Sequence, residues 1–259
     1  MNRDILRQIV NVIALIAMIT VNVLANALPI NGQNSGAISD RFPTRFTPAG
    51  YVFSIWGLIY LALIAFAVYQ ALPAQRENPL LRRIGWLFAV SCVLNLSWLF
   101  SWHYNQFPLS MVLMLGLLAT LIAIYIGIRS TDSGVSRPDH WLIRIPFSIY
   151  LGWITVATVA NACIVLYDAG WSGFGISAEV WAMLLVVVGL AITAFISVKL
   201  GDVAYGLVIV WAYIGIVVQQ SDALLVAVAA GIGAAVAALL VVIAYFRSSS
   251  RFRQAAAEG

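Results

Sequence analysis

The architecture of this protein is already indicated by one segment of its sequence, LGWITVATVAN at residues 151–161. This segment lies in a stretch without charged residues that runs from position 145 to position 167. Because a helix needs about 20 mostly apolar residues to cross the hydrocarbon core of a bilayer, the stretch predicts a transmembrane helix. Trp153, Ala157 and Asn161 follow one another at intervals of four residues, so they share one face of that helix.

The same apolar character extends over most of the chain. Hydrophobic residues make up 63% and charged residues 9% of the 259 positions, whereas soluble domains carry roughly 25% charged residues. This composition excludes a large catalytic domain outside the membrane. It predicts an all-α polytopic membrane protein with about eight transmembrane helices, at residues 6–28, 50–72, 84–104, 109–129, 142–167, 178–199, 202–220 and 223–246.

The basic residues predict how these helices are oriented. An even number of spans places both termini on one side of the membrane, together with every Lys and Arg except Arg41 and Arg45. Because cytoplasmic loops carry an excess of Lys and Arg, we expect both termini in the cytoplasm, in a plasma or inner membrane. The basic residues occur singly or in pairs rather than in a long run, so no nucleic-acid partner is expected.

The composition changes near residue 170. All eight prolines and six of the nine tryptophans precede this point, and the later spans are rich in Ala, Val, Leu, Ile and Gly. We therefore expect a five-helix bundle at residues 1–170, a three-helix transmembrane extension at residues 171–247 and a cytoplasmic tail at residues 248–259. In the last span, the small-residue pairs Gly231/Ala235 and Gly233/Ala237 are suited to close packing, within the monomer or against another membrane protein.

Several functional classes are disfavoured by residues that the spans lack. No Asp, Glu, Lys or Arg lies near the middle of a predicted span, which argues against proton-coupled or ion-coupled transport. His103 and His140 fall on opposite faces, so neither a paired-histidine metal site nor a bis-histidine haem site is expected. Because the membrane segments hold no acid–base pair, we expect a protein without catalytic residues, and an enzyme that degrades or isomerises its bound ligand is the less favoured alternative. No obligatory cofactor is expected.

Polar and aromatic residues recur at helical spacing. Asn95, Trp98 and Trp102 share one face of the third span, and Trp56 and Tyr60 share a face of the second. The predicted topology places them in the outer half of the bilayer, beneath the long first loop at residues 29–49. A mostly apolar site with a few polar anchors is typical of small-molecule binding, but helix packing and interhelical hydrogen bonds use the same residue types. Both roles are left open by the spacing alone.

Three of these segments resemble the tryptophan-rich sensory protein/translocator protein (TspO/MBR, peripheral benzodiazepine receptor-like) family. LGWITVATVAN is similar to the fifth-helix pattern Trp-x-x-x-Ala-x-x-x-Asn, and LNLSW at 94–98 to the third-helix pattern Leu-Asn-x-x-Trp. Pro48 followed by WGLIY at 56–60 resembles the proline-rich loop that leads into Trp-x-x-x-Tyr. The resemblance covers roughly residues 6–167. It implies a five-helix bundle that binds porphyrins, sterol-like lipids and synthetic aromatic ligands in a pocket capped by the first loop.

Spacing and resemblance together give a set of expected ligand-binding residues: Pro48, Trp56, Tyr60, Asn95, Trp98, Trp102, Tyr150, Trp153, Ala157 and Asn161. The chain departs from the family pattern in having Thr47-Pro48 in place of paired prolines and in carrying three additional helices. The expected function is that of a membrane receptor, sensor or carrier for a tetrapyrrole or sterol-like lipid. Its expected partners are membrane lipids and this ligand, porphyrin or lipid. An accessory subunit of a larger membrane complex is the alternative, and a homodimer is left open.

Overall fold

The computed structural model describes residues 3–130 and 135–257, and within these residues all regular secondary structure is helical. We label the eight long helices of these residues α1 (Arg3–Ala27), α2 (Ile55–Ala71), α3 (Leu87–His103), α4 (Phe107–Arg129), α5 (Ile145–Asp168), α6 (Ala178–Thr193), α7 (Val203–Gln219) and α8 (Leu224–Ala257). Each lies close to a predicted span, although α8 continues past the predicted end at 246. The predicted tail is therefore helical as far as Ala257, and residues 258–259 lie outside the described part of the chain.

The helices have the length and composition of membrane spans. Among the described residues, six segments are long and apolar enough to cross a bilayer: Arg3–Ala25, Gly50–Ala71, Phe107–Arg129, Arg137–Asp168, Ala178–Lys199 and Leu224–Arg247. The remaining two, α3 and α7, are apolar helices of 17 residues each. The chain is thus an all-α, polytopic integral membrane protein.

Local sequence signals determine where several helices begin. The Ser177 hydroxyl accepts a hydrogen bond from the backbone N–H of Val180 (3.3 Å) and caps α6. The carboxylate of Asp202 caps α7 in the same way through the N–H of Tyr205 (3.0 Å). Pro108 lies in the first turn of α4, where a backbone N–H has no partner within the helix and its absence costs little.

The contacts divide the chain into two compact units. The N-terminal unit comprises Met1–Phe42 and Phe53–Val165, and the C-terminal unit comprises Pro43–Val52 and Leu166–Gly259. The later boundary falls near the composition change at residue 170. The segment Pro43–Val52, which we call the docked segment, belongs to the C-terminal unit although it lies within the first loop.

The N-terminal unit has an apolar core and several buried amides. The rings of Phe66, Phe88 and Phe147 contact one another edge to face, with centroids 4.9–5.8 Å apart. Gln8 of α1 and Gln70 of α2 form a reciprocal pair, in which each side-chain amide donates to the other residue's carbonyl oxygen (2.6 and 3.1 Å). These contacts fasten α1, α2, α3 and α5 together on one side of the aromatic cluster described below.

The C-terminal unit is held by close approaches at glycine residues. The hydroxyl of Tyr213 on α7 donates a hydrogen bond to the carbonyl oxygen of Val186 on α6 (2.8 Å). Gly233 of α8 lies against both residues, because a Cβ atom placed there would be 2.8 Å from Val186 Cγ1 and 3.0 Å from the Tyr213 ring. Ala237, one turn later, is fully buried. The predicted small-residue pair Gly233/Ala237 therefore packs within the unit, whereas Ala235 on the other face of α8 is exposed.

Candidate functional site

The half-buried ring of Trp56, in the first turns of α2, is the centre of an aromatic cluster. Tyr60 stacks on it with centroids 5.6 Å apart and an interplanar angle of 24°, and Trp98 of α3 lies at 6.5 Å and 30°. Tyr150 and Trp153 of α5 contact the same ring edge to face at 6.0 and 6.3 Å. Three helices thus bring five of the predicted site residues into direct ring contact.

The stacked arrangement continues along α3. Trp102 stacks on Trp98 with centroids 5.8 Å apart and an interplanar angle of 24°, and Phe107 contacts Trp102 edge to face at 5.5 Å. The indole Nε1 of Trp102 donates to the carbonyl oxygen of Ser35 (3.3 Å), at the start of the short helix Ser35–Asp40 in the first loop. Trp102 therefore links the aromatic cluster to the part of the first loop that belongs to the N-terminal unit.

Asn95 connects α1, α3 and α5 through hydrogen bonds of its side chain. Its Oδ1 accepts a hydrogen bond from the amide of Asn22 on α1 (2.9 Å), and its own Nδ2 donates to the hydroxyl oxygen of Tyr150 on α5 (3.1 Å). Asn95 is completely buried. Its amide is consequently occupied by protein partners, which favours the interhelical role over direct ligand contact.

Asn161 holds the ring of Trp98 in place. The Trp98 Nε1 donates to Asn161 Oδ1 (2.9 Å), and the Asn161 amide donates to the hydroxyl oxygen of Ser110 on α4 (3.1 Å). The exposed fractions of Trp98 and Asn161 are 5% and 2%. Both asparagines of the sequence motifs therefore bridge helices, and Asn161 fixes the orientation of one indole in the cluster.

Trp153 differs from Trp98 and Trp102 in the state of its indole nitrogen. The side chain is 2% exposed and its ring contacts Phe53 at 5.7 Å as well as Trp56, yet within residues 3–130 and 135–257 its buried Nε1 has no hydrogen-bond partner. A buried donor without an acceptor costs about 1–3 kcal/mol of desolvation free energy. Among the described residues, Trp153 thus contributes a buried, unpaired hydrogen-bond donor to the cluster.

The other two predicted residues differ in their placement. Ala157 lies one turn after Trp153 on the same face of α5 and is half-buried. Pro48 is buried but belongs to the C-terminal unit, where it lies against Gly215 of α7. The role of Pro48 in ligand binding stays a prediction.

Sequence reasoning missed two residues of the cluster. Phe53 precedes Trp56 by three positions, but it lies ahead of α2, where no helical spacing indicates a shared face. Ser110 is the first polar side chain within an otherwise apolar part of α4, and this isolation was a usable signal for a buried hydrogen bond. The proline motif and the tryptophans had drawn attention to α2, α3 and α5 instead.

The chemistry available at the cluster is stacking and hydrogen bonding. Flat aromatic faces are provided by Trp56 and Tyr60, which are only half-buried, and one unpaired donor is provided by Trp153. In the part of the chain that the structure describes, no group of three or more His, Cys, Asp or Glu side chains is placed to hold a metal ion.

Comparison with known proteins gives one match. A model of the family described as TSPO-like protein matches residues 8–243. The match includes α6, α7 and most of α8, so it extends well past residue 167, where the resemblance was expected to end. No curated protein and no solved structure matches the chain.

Proposed function

This chain belongs to the TSPO-like protein family, and on that premise we propose that it is a membrane receptor, sensor or carrier that binds a tetrapyrrole or sterol-like lipid at the aromatic cluster. The observation that carries the proposal is the unpaired indole Nε1 of Trp153 beside the half-buried rings of Trp56 and Tyr60. Stacking residues provide area for a flat molecule, and the donor provides orientation. Such a combination of apolar surface and few polar groups is characteristic of small-molecule sites.

Tetrapyrroles suit this chemistry particularly well. Their flat, conjugated ring can stack on an aromatic side chain such as the half-buried Trp56, and porphyrin carboxylates accept hydrogen bonds from a donor such as the Trp153 Nε1. Asn95 and Asn161 are occupied by protein partners, so in this proposal they position Tyr150 and Trp98 and do not contact the ligand. The proposed role is binding without catalysis.

Titration with protoporphyrin IX tests the proposal. Binding is followed by the Soret absorbance of the porphyrin rather than by tryptophan emission, so that the loss of one indole does not disturb the readout. Trp153→Phe keeps the aromatic contact with Trp56 but removes the donor, and we expect about a tenfold weaker affinity, since a lost hydrogen bond to a charged acceptor costs about 1.5 kcal/mol or more. Trp141→Phe is the matched control, because Trp141 is 65% exposed.

The outcomes separate the parts of the proposal. If the wild-type protein does not bind protoporphyrin IX, the tetrapyrrole is the wrong ligand and a sterol-like lipid is titrated in its place. If it binds and Trp153→Phe binds equally tightly, the role of the Trp153 donor is wrong. Conversion of the bound porphyrin to a new product by the purified protein, in the light or in the dark, would contradict the non-catalytic role.

In the proposed orientation the protein lies in a plasma or inner membrane and both of its termini are in the cytoplasm. It is supported by the concentration of Lys and Arg on one side of the predicted topology. The exposed positions Ala37 and Glu77 lie in loops predicted on opposite sides. In a variant without native cysteines, a membrane-impermeant maleimide is expected to label Ala37→Cys in intact cells and Glu77→Cys only after lysis. The reverse pattern would contradict the orientation.

The alternative function, an accessory subunit of a larger membrane complex, stays a prediction. It rested on the small-residue pairs of α8, one of which is used within the C-terminal unit. Purification in a mild detergent decides between the two functions, because an accessory subunit would bring a stoichiometric partner with it, whereas a receptor or carrier purifies alone or as a homodimer.

A further inference from the structure

The docked segment, Pro43–Val52, is bound to α7 through main-chain groups. The backbone N–H of Ala49 donates to the carbonyl oxygen of Gly215 (3.0 Å), and the indole Nε1 of Trp211 donates to the carbonyl oxygen of Val52 (3.1 Å). The ring of Tyr51 contacts Trp211 edge to face at 5.4 Å. A loop segment without regular sheet or helix partners thus has its polar backbone satisfied by a neighbouring helix.

The buried side chain of Gln220 is hydrogen-bonded to the first half of the docked segment. The side-chain amide of Gln220, which is 4% exposed, donates to the carbonyl oxygens of both Thr44 (3.1 Å) and Thr47 (3.2 Å). The hydroxyl groups of Thr44 and Thr47 are hydrogen-bonded to each other. Because the amide is buried, losing these two acceptors would leave its donors unsatisfied in an apolar environment.

A notch at Gly215 receives the middle of the segment. A Cβ atom at this position would overlap Val52 Cγ2 and would lie 3.1 Å from Pro48 Cβ. Only glycine therefore allows Pro48 and Val52 to approach the backbone of α7 this closely. By contrast, the nearest atom to a Cβ at Gly231 of α8 is Val217 Cγ2, at 3.8 Å.

Arg45 adds a third set of contacts at the edge of the segment. Its guanidinium pairs with the carboxylates of Asp222 (2.9 Å), between α7 and α8, and Glu179 (3.4 Å), in the first turn of α6. It also donates to Gln220 Oε1 (3.3 Å). The segment is thus contacted by polar groups from the first turn of α6 and from the connection between α7 and α8.

The docked segment continues directly into the candidate site. Val52 is part of the short 3₁₀ helix Gly50–Ser54, which leads into α2 at Ile55. Phe53, the ring neighbour of Trp153, is the next residue, and Trp56 follows Val52 by four positions. Val52 is therefore separated from Phe53 and Trp56 by at most about one helical turn of continuous backbone.

From these contacts we infer that the three C-terminal helices act as a docking platform for the first loop, which fixes the entry into α2 and thereby slows the release of a bound ligand. Gly215, Trp211 and Gln220 are positioning residues in this inference, because they act through Phe53 and Trp56 and do not themselves contact the ligand. The effect on ligand release rests on the proposed function. The effect on the docked segment does not.

Limited proteolysis in detergent tests the docking directly. Trypsin cleaves after Arg45 only when the docked segment leaves α7, whereas the exposed Arg41 lies outside the segment and provides an internal reference. For Gln220→Leu we expect the ratio of Arg45 to Arg41 cleavage to rise about tenfold or more, because the carbonyl oxygens of Thr44 and Thr47 lose their buried donor and cleavage follows the population of the open form. Gln219→Leu is the matched control, since Gln219 is the adjacent residue and is exposed.

A second variant covers the case in which Gln220→Leu does not fold. Trp211→Phe keeps a ring against Tyr51 but removes the hydrogen bond to Val52, and a smaller rise in the cleavage ratio, about threefold, is expected. For each folded variant, the dissociation rate of protoporphyrin IX is then measured by stopped-flow. The rate is expected to increase in the same order as the cleavage ratio, with Gln219→Leu equal to the wild type.

Each outcome is decisive. A cleavage ratio that stays at the wild-type value in the folded variants overturns the docking inference. An increased ratio with unchanged porphyrin dissociation overturns the positioning role and leaves the proposed function intact. A wild-type protein that does not bind porphyrin overturns the tetrapyrrole as the ligand of the proposed function and with it the role in porphyrin release, while the cleavage ratios still decide whether the platform holds the segment.

Discussion

The hydrogen bond between Trp98 and Asn161 allows one prediction to be worked out in detail. The Trp98 Nε1 lies 2.9 Å from Asn161 Oδ1, and both side chains are at most 5% exposed. In Asn161→Leu the indole donor loses its acceptor, and in Trp98→Phe the Asn161 oxygen retains the Ser110 hydroxyl at 3.3 Å. Asn161→Leu therefore leaves the buried Trp98 donor unsatisfied, whereas Trp98→Phe leaves Asn161 Oδ1 with one of its two hydrogen bonds.

Two known ranges set the expected coupling energy between the Trp98 and Asn161 substitutions. An unsatisfied buried donor costs about 1–3 kcal/mol in soluble proteins, and measured interhelical couplings in membranes average about 0.6 kcal/mol with a maximum near 1.7. Because the Trp98–Asn161 bond is short and buried, we expect a coupling energy of about 1 kcal/mol between Trp98→Phe and Asn161→Leu. The free energy of unfolding of the four proteins in mixed micelles, titrated with a denaturing detergent, measures it.

A control pair shows whether the coupling is specific. Thr120 of α4 bonds only the carbonyl oxygen of Gly116 within its own helix (2.8 Å), so Thr120→Val and Trp98→Phe are expected to be additive within about 0.5 kcal/mol. A coupling below about 0.3 kcal/mol for the Trp98–Asn161 pair would refute the conclusion that Asn161 is a structural bridge. Asn161 would then return to the set of ligand-contacting residues.

Two further predictions concern the C-terminal unit. Gly233→Ala places a methyl group 2.8 Å from Val186 Cγ1 and is expected to lower the free energy of unfolding by about 1–3 kcal/mol. Gly231→Ala places its methyl group in ordinary van der Waals contact with Val217 Cγ2 (3.8 Å) and is expected to be neutral or to stabilise α8 by up to about 1 kcal/mol, so equal effects of the two variants in detergent-induced unfolding would disprove the close packing at Gly233. The hydrogen bond from Arg45 holds the pKa of Asp222 below its ordinary value. The ionised carboxylate therefore contributes its full stabilisation of the folded state at pH values above the pKa of the unfolded state, near 4. This contribution is lost as the pH falls through the lower pKa of the folded state. Wild type is therefore expected to melt at a higher temperature than Asp222→Asn at pH 7 and at the same temperature near pH 2, and a difference that persists at the lower pH would contradict the assignment.

Much of the fold could be predicted because its determinants are local. Continuous apolar stretches of about 20 residues specify membrane helices, and α1 to α7 begin and end close to the predicted limits. The clustering of Trp56, Trp98 and Trp153 was also predictable, since each residue shares a helical face with a polar or aromatic neighbour. The polar continuation of α8 to Ala257 lacked such a signal, because helices outside a bilayer are not marked by hydropathy.

The position of Pro48 was not predictable because it depends on contacts distant in sequence. Spacing and resemblance associate Pro48 with the aromatic residues that follow it, whereas Gly215 and Gln220 hold its segment in the C-terminal unit. A glycine in an apolar helix such as α7 gives no indication of which side chain will occupy its notch. Likewise, the sequence shows that Trp153 and Asn161 share a face, but not that Trp98 takes the amide and leaves the Trp153 indole unpaired.

The docking of the first loop on α7 also has a consequence for how the protein is made. Thr44 and its partner Gln220 are 176 residues apart, so the ribosome completes the partner long after the loop has emerged. At roughly 5–20 residues per second, this interval is on the order of ten to thirty seconds. Throughout that time α1 and α2 can enter the membrane, but the segment between them has no binding site. The N-terminal part of the chain therefore acquires its final form only when the seventh helix arrives, and a nascent chain that stops earlier exposes an unfinished loop to the proteases that survey newly inserted membrane proteins.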